Sequence, residues 1–416
     1  MKYSIITFGC RVNQADSFAI ARDLHARGAV EAPLQEAELV VVNTCSVTAA
    51  ADQGVRQTVR RIVRDNPGVR IVVTGCYATR RPEEISQLPN VAHVVSNDEK
   101  DDLVERLAPR IGLPRLEEMT TATRYGGGDG PCGDTLSPGV AGRTALTLRV
   151  QTGCDETCSY CIIPTTRGRG RSRPLNAVIH QIEDAVASGY REIAIAGVHL
   201  GSYGRDIDDS TSLATLVRVL AAWNADVLFR ISSLEPMDCT PEIVDLVASS
   251  PRLAPHFHLP LQHGADTILR AMRRPYTALA FKNLVTRIRA LLPHASVGSD
   301  LIVGFPGESD AHFEETEALL CELPLTHLHV FPYSDRPGTD AASLGGRVDG
   351  AVIRERGRRI RNIGHEMATR FRQSQHGAVR RALTVDDGWS AVTDNYLKVK
   401  LDRHHSRNEW VKVTID

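Results

Sequence analysis

Six of the nine cysteines in this chain fall into two sets of three. One set is tight: Cys154, Cys158 and Cys161, in Gly153-Cys154-Asp155-Glu156-Thr157-Cys158-Ser159-Tyr160-Cys161. The other is spread over Cys10, Cys45 and Cys76, each just after a short apolar run. The number three constrains the chemistry. Structural zinc takes four ligands, usually in CxxC pairs, and an iron–sulfur cube usually takes four thiolates, one per iron. Three protein thiolates leave one iron open, and an open iron can bind a small chelating ligand. Two such sets point to chemistry on iron and not to electron storage.

The chain has 416 residues, 42% of them hydrophobic and 24% charged, a globular composition with room for two or three domains. Met1-Lys2-Tyr3-Ser4 does not open a signal-peptide stretch, and no apolar run approaches the length of a membrane span. The expectation is a cytoplasmic protein with no membrane partner, whose cysteines stay reduced and available to metal. A formal net charge of -1 gives no global attraction to nucleic acid. Basic charge is local: ten arginines between Arg347 and Arg381 stand against Asp349, Glu355 and Glu366.

Residues 1–110 alternate β-type runs (3–8, 39–43, 70–73, 91–95) with helical stretches (14–27, 49–65, 100–108), predicting an open parallel α/β domain. Residues 111–142 lack periodicity and contain Gly126-Gly127-Gly128-Asp129-Gly130-Pro131, a linker composition. A longer α/β alternation occupies 143–375. Its predicted strands are 145–150, 192–196, 227–231, 256–261, 296–303 and 327–331, with helices such as 175–188, 241–249, 278–292 and 311–322 between them. Six such units predict a partial (β/α)6 barrel with its site at the C-terminal strand ends. A basic helix is expected over 352–375, with Arg354, Arg358 and Arg361 on one face. Residues 376–416 read as a small β-rich domain. Each spread cysteine falls at the C-terminal end of a predicted parallel strand, where the loops of neighbouring strands meet on one edge. Gly9 and Gly75 permit close backbone approach there.

CxxxCxxC with an aromatic before the third cysteine resembles the radical S-adenosylmethionine (SAM) superfamily. In that superfamily the open iron is chelated by SAM, and reductive cleavage gives a 5′-deoxyadenosyl radical. Both triplets, in this order, resemble the methylthiotransferase family over essentially the whole chain. That family joins an N-terminal cluster domain, a radical-SAM barrel and a C-terminal TRAM domain that binds RNA. The resemblance implies two 4Fe–4S clusters, an auxiliary one on Cys10, Cys45 and Cys76 and a radical-SAM one on Cys154, Cys158 and Cys161. It also implies SAM as cofactor, and tRNA and an electron donor such as flavodoxin or ferredoxin as partners. Cys132, Cys239 and Cys321 match no cluster position and are expected to be structural or free thiols. The tail is short for a TRAM domain.

Local words point within the family. Gly9-Cys10-Arg11-Val12-Asn13-Gln14, Asn43-Thr44-Cys45-Ser46-Val47-Thr48, Val73-Thr74-Gly75-Cys76-Tyr77-Ala78, Gly197-Val198-His199-Leu200-Gly201-Ser202-Tyr203-Gly204 and Met272-Arg273-Arg274-Pro275-Tyr276-Thr277 resemble the class acting on threonylcarbamoyladenosine of tRNA. The Pro-Lys-Asn usual after the first cysteine of the ribosomal-protein class is missing. Other substrates open to the family are isopentenyladenosine in tRNA and a ribosomal-protein side chain. A non-enzymatic iron–sulfur redox or sensor protein is the reading from another class.

By family likeness Gly197, Ser232, Ser233, Glu235, Gln262 and Asp300 are expected to contact SAM. His199, His256 and His258 are expected to be packed histidines. Arg167, Arg169, Arg171 and Arg173 follow the tight cysteines directly, and four arginines there favour a phosphate backbone. Lys398 and Lys400 in the tail are expected to face RNA. Aromatic residues make up only 5% of the chain, so no base-stacking platform is evident.

Overall fold

The computed structural model describes residues 1–113, 138, 144–385 and 387–416. Nearly all of the expected linker, and Cys132 with it, lies outside the described residues. The chain forms two compact units. The first gathers the described residues up to 113 with Thr152–Asp155 and Ile162–Arg169; the second gathers Pro138–Gln151, Glu156–Cys161 and Gly170–Asp416.

The first unit carries one parallel sheet in the order Val30–Glu31, Lys2–Thr7, Leu39–Thr44, Arg70–Gly75, Val91–Val95. The central strand Leu39–Thr44 is buried along its whole length. Leu39 and Val41 enter a cluster with Ile20, Leu24, Leu103 and Leu107, while Val40 and Val42 enter another with Val55, Val59 and Ile62. A strand covered on both faces has no polar side to show, which is why Leu39–Val42 runs apolar without alternation and the buried Asn43 and Thr44 that follow are hydrogen-bonded. Helix Ala49–Asp65 supplies Val55, Val59 and Ile62 at helical spacing, and Thr48 caps it by accepting from the Ala51 amide at 3.2 Å.

Among the described residues, the second unit holds six parallel strands. Leu146–Arg149, Glu192–Ala196 and Leu228–Ile231 form one sheet in chain order, and His256–His258, Ser296–Val303 and His327–Pro332 form another. Parallel bridges Phe229↔Leu253 and Ser233↔His258 connect the two. Strand His256–His258 stops short of the expected 261, since Pro260 brings no amide to a ladder. Between the strands run helices including Leu175–Ala187, Leu213–Ala221, Pro241–Ser249, Ala278–Leu291 and Asp310–Glu322.

Helix Gly350–Ser374 is held to this unit by Arg356, whose buried guanidinium donates to Glu308 at 2.7 Å and to Asp310 at 2.6 Å. Arg354, Arg358 and Arg361 are exposed on it, as their spacing predicts. The tail is a four-stranded antiparallel sheet, ordered Lys398–Lys400, Ser390–Thr393, Val379–Val385, Trp410–Thr414. It is tied to the N-terminal ends of the parallel strands. Arg230 donates to the Asp394 carbonyl at 3.2 Å and stacks on Tyr396 at 4.7 Å. Asn395 donates to the His294 carbonyl at 2.9 Å, Asn408 to that of Gly189 at 2.7 Å, and Arg381 to Asp226 at 2.6 Å. The tail sheet therefore sits at the end of these strands opposite to their C-terminal edge. No helix among the described residues is long and apolar enough to cross a membrane.

Candidate active site

The register of the first sheet brings the spread cysteines to one edge. Thr7 pairs with Asn43 and Thr44 with Gly75, so the residues that follow leave three neighbouring strands at the same level. Cys10 is the N-cap of helix Arg11–His25, Cys45 directly follows Leu39–Thr44, and Cys76 opens the short helix Cys76–Arg80. Two glycines make the approach feasible. At Gly9, with φ 92°, a Cβ would lie 2.7 Å from Cys45 Sγ; at Gly75, with φ 99°, it would lie 2.3 Å from the Thr44 carbonyl oxygen. No side chain fits either position, and positive φ disfavours one further. All three cysteines are free thiols.

Burial pushes the Cys45 thiol up to about 11, and the like charge of Cys10 and Cys76 adds to this while Arg167 opposes it. Burial would raise Cys76 as well, but Arg167 and Lys100 outweigh it and bring that thiol below its ordinary value. Asn97 Nδ2 approaches Cys76 Sγ at 3.6 Å. Behind the sulfurs lies a buried polar network. Asp16 Oδ2 accepts from Lys100 Nζ at 3.0 Å and from Arg167 Nη2 at 3.0 Å. Lys100 also donates to Asn43 Oδ1 at 3.1 Å, and Asn13 Nδ2 donates to the carbonyls of Phe8 at 2.7 Å and Thr44 at 2.9 Å.

This network corrects one expectation. Arg167 is only 2% exposed. Its guanidinium is spent on Asp16, Asn13 and Thr152, so it is not a solvent-facing phosphate contact. Arg169 differs: its side chain is 93% exposed, with Asp155 at 3.2 Å. Arg171 is also exposed, and half-buried Arg173 donates to Gln181 at 2.8 Å. Lys398 and Lys400 are exposed on the tail sheet.

Of the tight cysteines, Cys154 belongs to the first unit, and its amide donates to the Gly168 carbonyl at 3.1 Å. Gly153 before it has φ 73°, and a Cβ there would sit 1.9 Å from the Arg169 carbonyl oxygen. Cys158 and Cys161 belong to the second unit, in a turn closed by the Cys161 amide on the Cys158 carbonyl at 3.1 Å. Ser159 pins that turn through its amide to the Met272 carbonyl and its hydroxyl to the Ala271 carbonyl at 2.7 Å. Tyr160 packs against Ala265, Ile268, Met272, Phe305 and Ala341.

Arg274 Nη1 reaches Cys158 Sγ at 3.1 Å, and its Nη2 pairs with Glu235. Burial pushes the Glu235 carboxyl above its ordinary range against the pull of Arg274. The Tyr276 hydroxyl accepts from Arg274 Nε at 3.0 Å and donates to the Pro260 carbonyl at 2.7 Å.

The residues expected around SAM gather at or near the C-terminal strand ends of the second unit. Gly197 follows Glu192–Ala196, and a Cβ there would meet Leu200 Cα at 3.0 Å and Gln151 Oε1 at 3.1 Å. Ser232 and Ser233 follow Leu228–Ile231; Ser232 is buried and its Oγ has no hydrogen-bond partner. Gln262 holds a left-handed backbone, φ 67°, fixed by its amide on the Asp300 carbonyl and its carbonyl on the Ile302 amide, both at 2.8 Å.

Asp300, on the strand Ser296–Val303, is engaged by two histidines. Its Oδ1 accepts from His258 at 2.9 Å and His329 at 3.1 Å, and these imidazoles hold the carboxyl well below its ordinary range despite burial. The ligand atoms of His258, Asp300 and His329 lie within 4.8 Å of one another. Buried His199 has its own acid partner, Asp238 at 2.8 Å, and His256 packs against Tyr396 at 4.6 Å.

Sequence reasoning missed Asp16, Lys100, Arg274 and His329. Arg274 was within reach, since it lies inside a quoted word. The other three carry no local motif and are brought into place only by strand order.

Comparison with known proteins follows this division. Residues 2–96 match the model described as "Uncharacterized protein family UPF0004", and residues 148–320 match that of the "Radical SAM superfamily". The chain is 33% identical to "Threonylcarbamoyladenosine tRNA methylthiotransferase MtaB" of Aquifex aeolicus over 100% of both chains. It is 34% identical to the protein of that name from Bacillus subtilis, over 94% of this chain and 88% of the relative. It is also 33% identical to a "tRNA-2-methylthio-N(6)-dimethylallyladenosine synthase" of Parafrankia, over 93% and 78%. Among solved structures, the radical SAM methyltransferase TsrM of Kitasatospora setae shares the fold with TM-score 0.57 at 16% identity, over 82% of this chain and 74% of that one. With both cysteine sets in place and full-length relatives of this kind, the chain belongs to the MtaB-type radical-SAM methylthiotransferase family.

Proposed function

We propose that this chain adds a methylthio group to C2 of N6-threonylcarbamoyladenosine at position 37 of tRNA, with SAM as both radical source and methyl donor. The observation that carries this is the end-to-end match to relatives named for that reaction, combined with both cysteine triplets in the matching order. In this reading the six parallel strands wrap as a partial barrel, and the tail is a short TRAM-like RNA domain. The domain division is 1–110, a linker to 142, a core to 375, and the tail. The protein works in the cytoplasm with a low-potential donor such as flavodoxin or ferredoxin.

Two 4Fe–4S clusters fit the donor sets, one on Cys154, Cys158 and Cys161 and one on Cys10, Cys45 and Cys76. A cube held by three thiolates keeps an open iron, which supplies SAM binding and electron delivery at the first site and a place for sulfur at the second. Arg274 holds Cys158 by a charge-assisted hydrogen bond and orients Glu235 beside it. The unpartnered Ser232 hydroxyl and the tight backbone at Gly197 offer a small ligand a polar contact and close approach. Gln262, Ser233 and Asp300 complete the SAM contacts at these strand ends, with Asp300 held in place by His258 and His329. Arg169, Arg171, Arg173, Lys398 and Lys400 are assigned to the RNA.

The test is turnover by the reconstituted enzyme under reducing anaerobic conditions. Parallel tRNAs should carry threonylcarbamoyladenosine, isopentenyladenosine or unmodified adenosine, with nucleosides read by mass spectrometry. Methylthiolation of the first alone supports the assignment. Preference for the second would move the chain to the other tRNA class.

A further inference from the structure

Arg167 and Lys100 are two buried basic side chains that share one buried carboxylate, Asp16, with its Oδ2 at 3.0 Å from each. Arg167 is 2% exposed and keeps its charge at any pH a protein survives. The remaining hydrogen bonds of the pair go to neutral groups, Asn13, Thr152 and Asn43. Burial draws the Lys100 ammonium below its ordinary value, so Arg167 is the fixed cation of the network. It stands beside the cysteine edge: Asn97 Nδ2 reaches Cys76 Sγ at 3.6 Å and the carbonyl of Thr166, the residue before Arg167, at 2.7 Å. A fixed buried cation at that edge favours negative charge on the sulfurs.

We propose that Arg167 is the counter-ion of the Cys10–Cys45–Cys76 site and sets the reduction potential of the cluster bound there, with Asp16 opposing it. This rests on the auxiliary-cluster reading above. A cluster's potential follows its net charge, the hydrogen bonds to its sulfurs and its exposure to solvent. A fixed cation at the sulfurs favours the electron-rich state, and a fixed anion behind the cation disfavours it. Arg167 acts on the cluster through charge and hydrogen bonding, so it is a positioning and tuning residue. If it served only to anchor Ile162–Arg169 to the first unit, its removal would not move a potential in a direction set by charge.

The experiment uses the full chain with Cys154, Cys158 and Cys161 changed to Ala, reconstituted anaerobically, so that electron paramagnetic resonance follows one cluster during redox titration. In that background Arg167→Gln should retain iron and shift the midpoint to more negative potential. At fixed potential the reduced-to-oxidised ratio should fall about tenfold, about 59 mV for a one-electron couple. Asp16→Asn should shift it the opposite way, and Arg167→Lys should stay nearer the parent than Arg167→Gln. A parent potential in Arg167→Gln with iron retained would overturn the proposal. If Arg167→Gln does not take up iron, Asp16→Asn decides: a positive shift supports the counter-ion role, while no shift or a negative one overturns it. A background protein that binds no iron would overturn the auxiliary-cluster reading and this inference with it.

Discussion

Arg274 Nη1 lies 3.1 Å from the sulfur of Cys158. The same guanidinium is the partner of Glu235, so one side chain joins a cysteine of the tight triplet to a carboxylate expected at the SAM site. Arg274→Gln leaves the half-buried Glu235 without its cation, and breaking the pair from one side should destabilise, by less than the about 3–5 kcal/mol of a fully buried pair. The double variant Glu235→Gln/Arg274→Gln removes the stranded charge and should recover most of the lost melting temperature. SAM cleavage should stay low in both. Full cleavage in the double variant would reduce the pair to scaffolding.

The two cysteine sets should separate by function. Ala at Cys10, Cys45 and Cys76 should leave reductive SAM cleavage intact and abolish methylthiolated product, with iron content roughly halved if each site holds one four-iron cube. Chromatography of 5′-deoxyadenosine and of tRNA nucleosides from one reaction reads both. Methylthio transfer by this variant would contradict the auxiliary-cluster reading.

Exposed arginines, not the buried one, should set the grip on RNA. Arg169→Gln with Arg171→Gln should weaken tRNA binding and flatten its dependence on log salt by about 0.7–0.9 per lost phosphate contact. Cleavage of SAM without tRNA should survive. Filter binding across a salt series checks it, and an unchanged slope would remove these residues from the interface.

Acid should destabilise the second unit. Burial pushes His327 down from 6.5 to about 4, with His258 and His329 adding to the shift and Asp300 opposing it. The unfolded chain then binds the proton more readily, so this contribution is full above about pH 6.5 and is lost as pH falls toward 4. The depressed Asp300 acts the same way at lower pH, being stabilising above its unfolded value near 3.9 and lost below it. Across its window the His327 term amounts to roughly 3 kcal/mol. His327→Gln should therefore flatten the melting temperature between pH 7 and pH 4, as followed by circular dichroism. An equally steep profile in that variant would assign the acid lability elsewhere.

Features carried by neighbouring residues were legible in the sequence. Strand–helix alternation marks the parallel sheets, and a cysteine after each of three apolar runs marks a shared edge. Adjacency of strands Lys2–Thr7, Leu39–Thr44 and Arg70–Gly75 then brings Cys10, Cys45 and Cys76 together. What failed depended on distant partners. Arg167, in a run with Arg169, Arg171 and Arg173, reads as exposed basic charge. It ends the short helix Ile163–Arg167, and its Nη2 finds Asp16, 151 residues away in the chain. The histidine partners of Asp300, expected only as a SAM contact, were not legible either, because His329 lies on the next strand with no motif to mark it.

The most direct test of the substrate is the nucleoside content of tRNA from a strain lacking this chain, with and without its return, by liquid chromatography and mass spectrometry. The 2-methylthio derivative of threonylcarbamoyladenosine should vanish while threonylcarbamoyladenosine itself persists, and the returned chain should restore it. Return of a chain with Ala at Cys154, Cys158 and Cys161 should not. Unchanged 2-methylthio-threonylcarbamoyladenosine in the deletion strain, or loss of the isopentenyladenosine derivative in its place, would contradict the account.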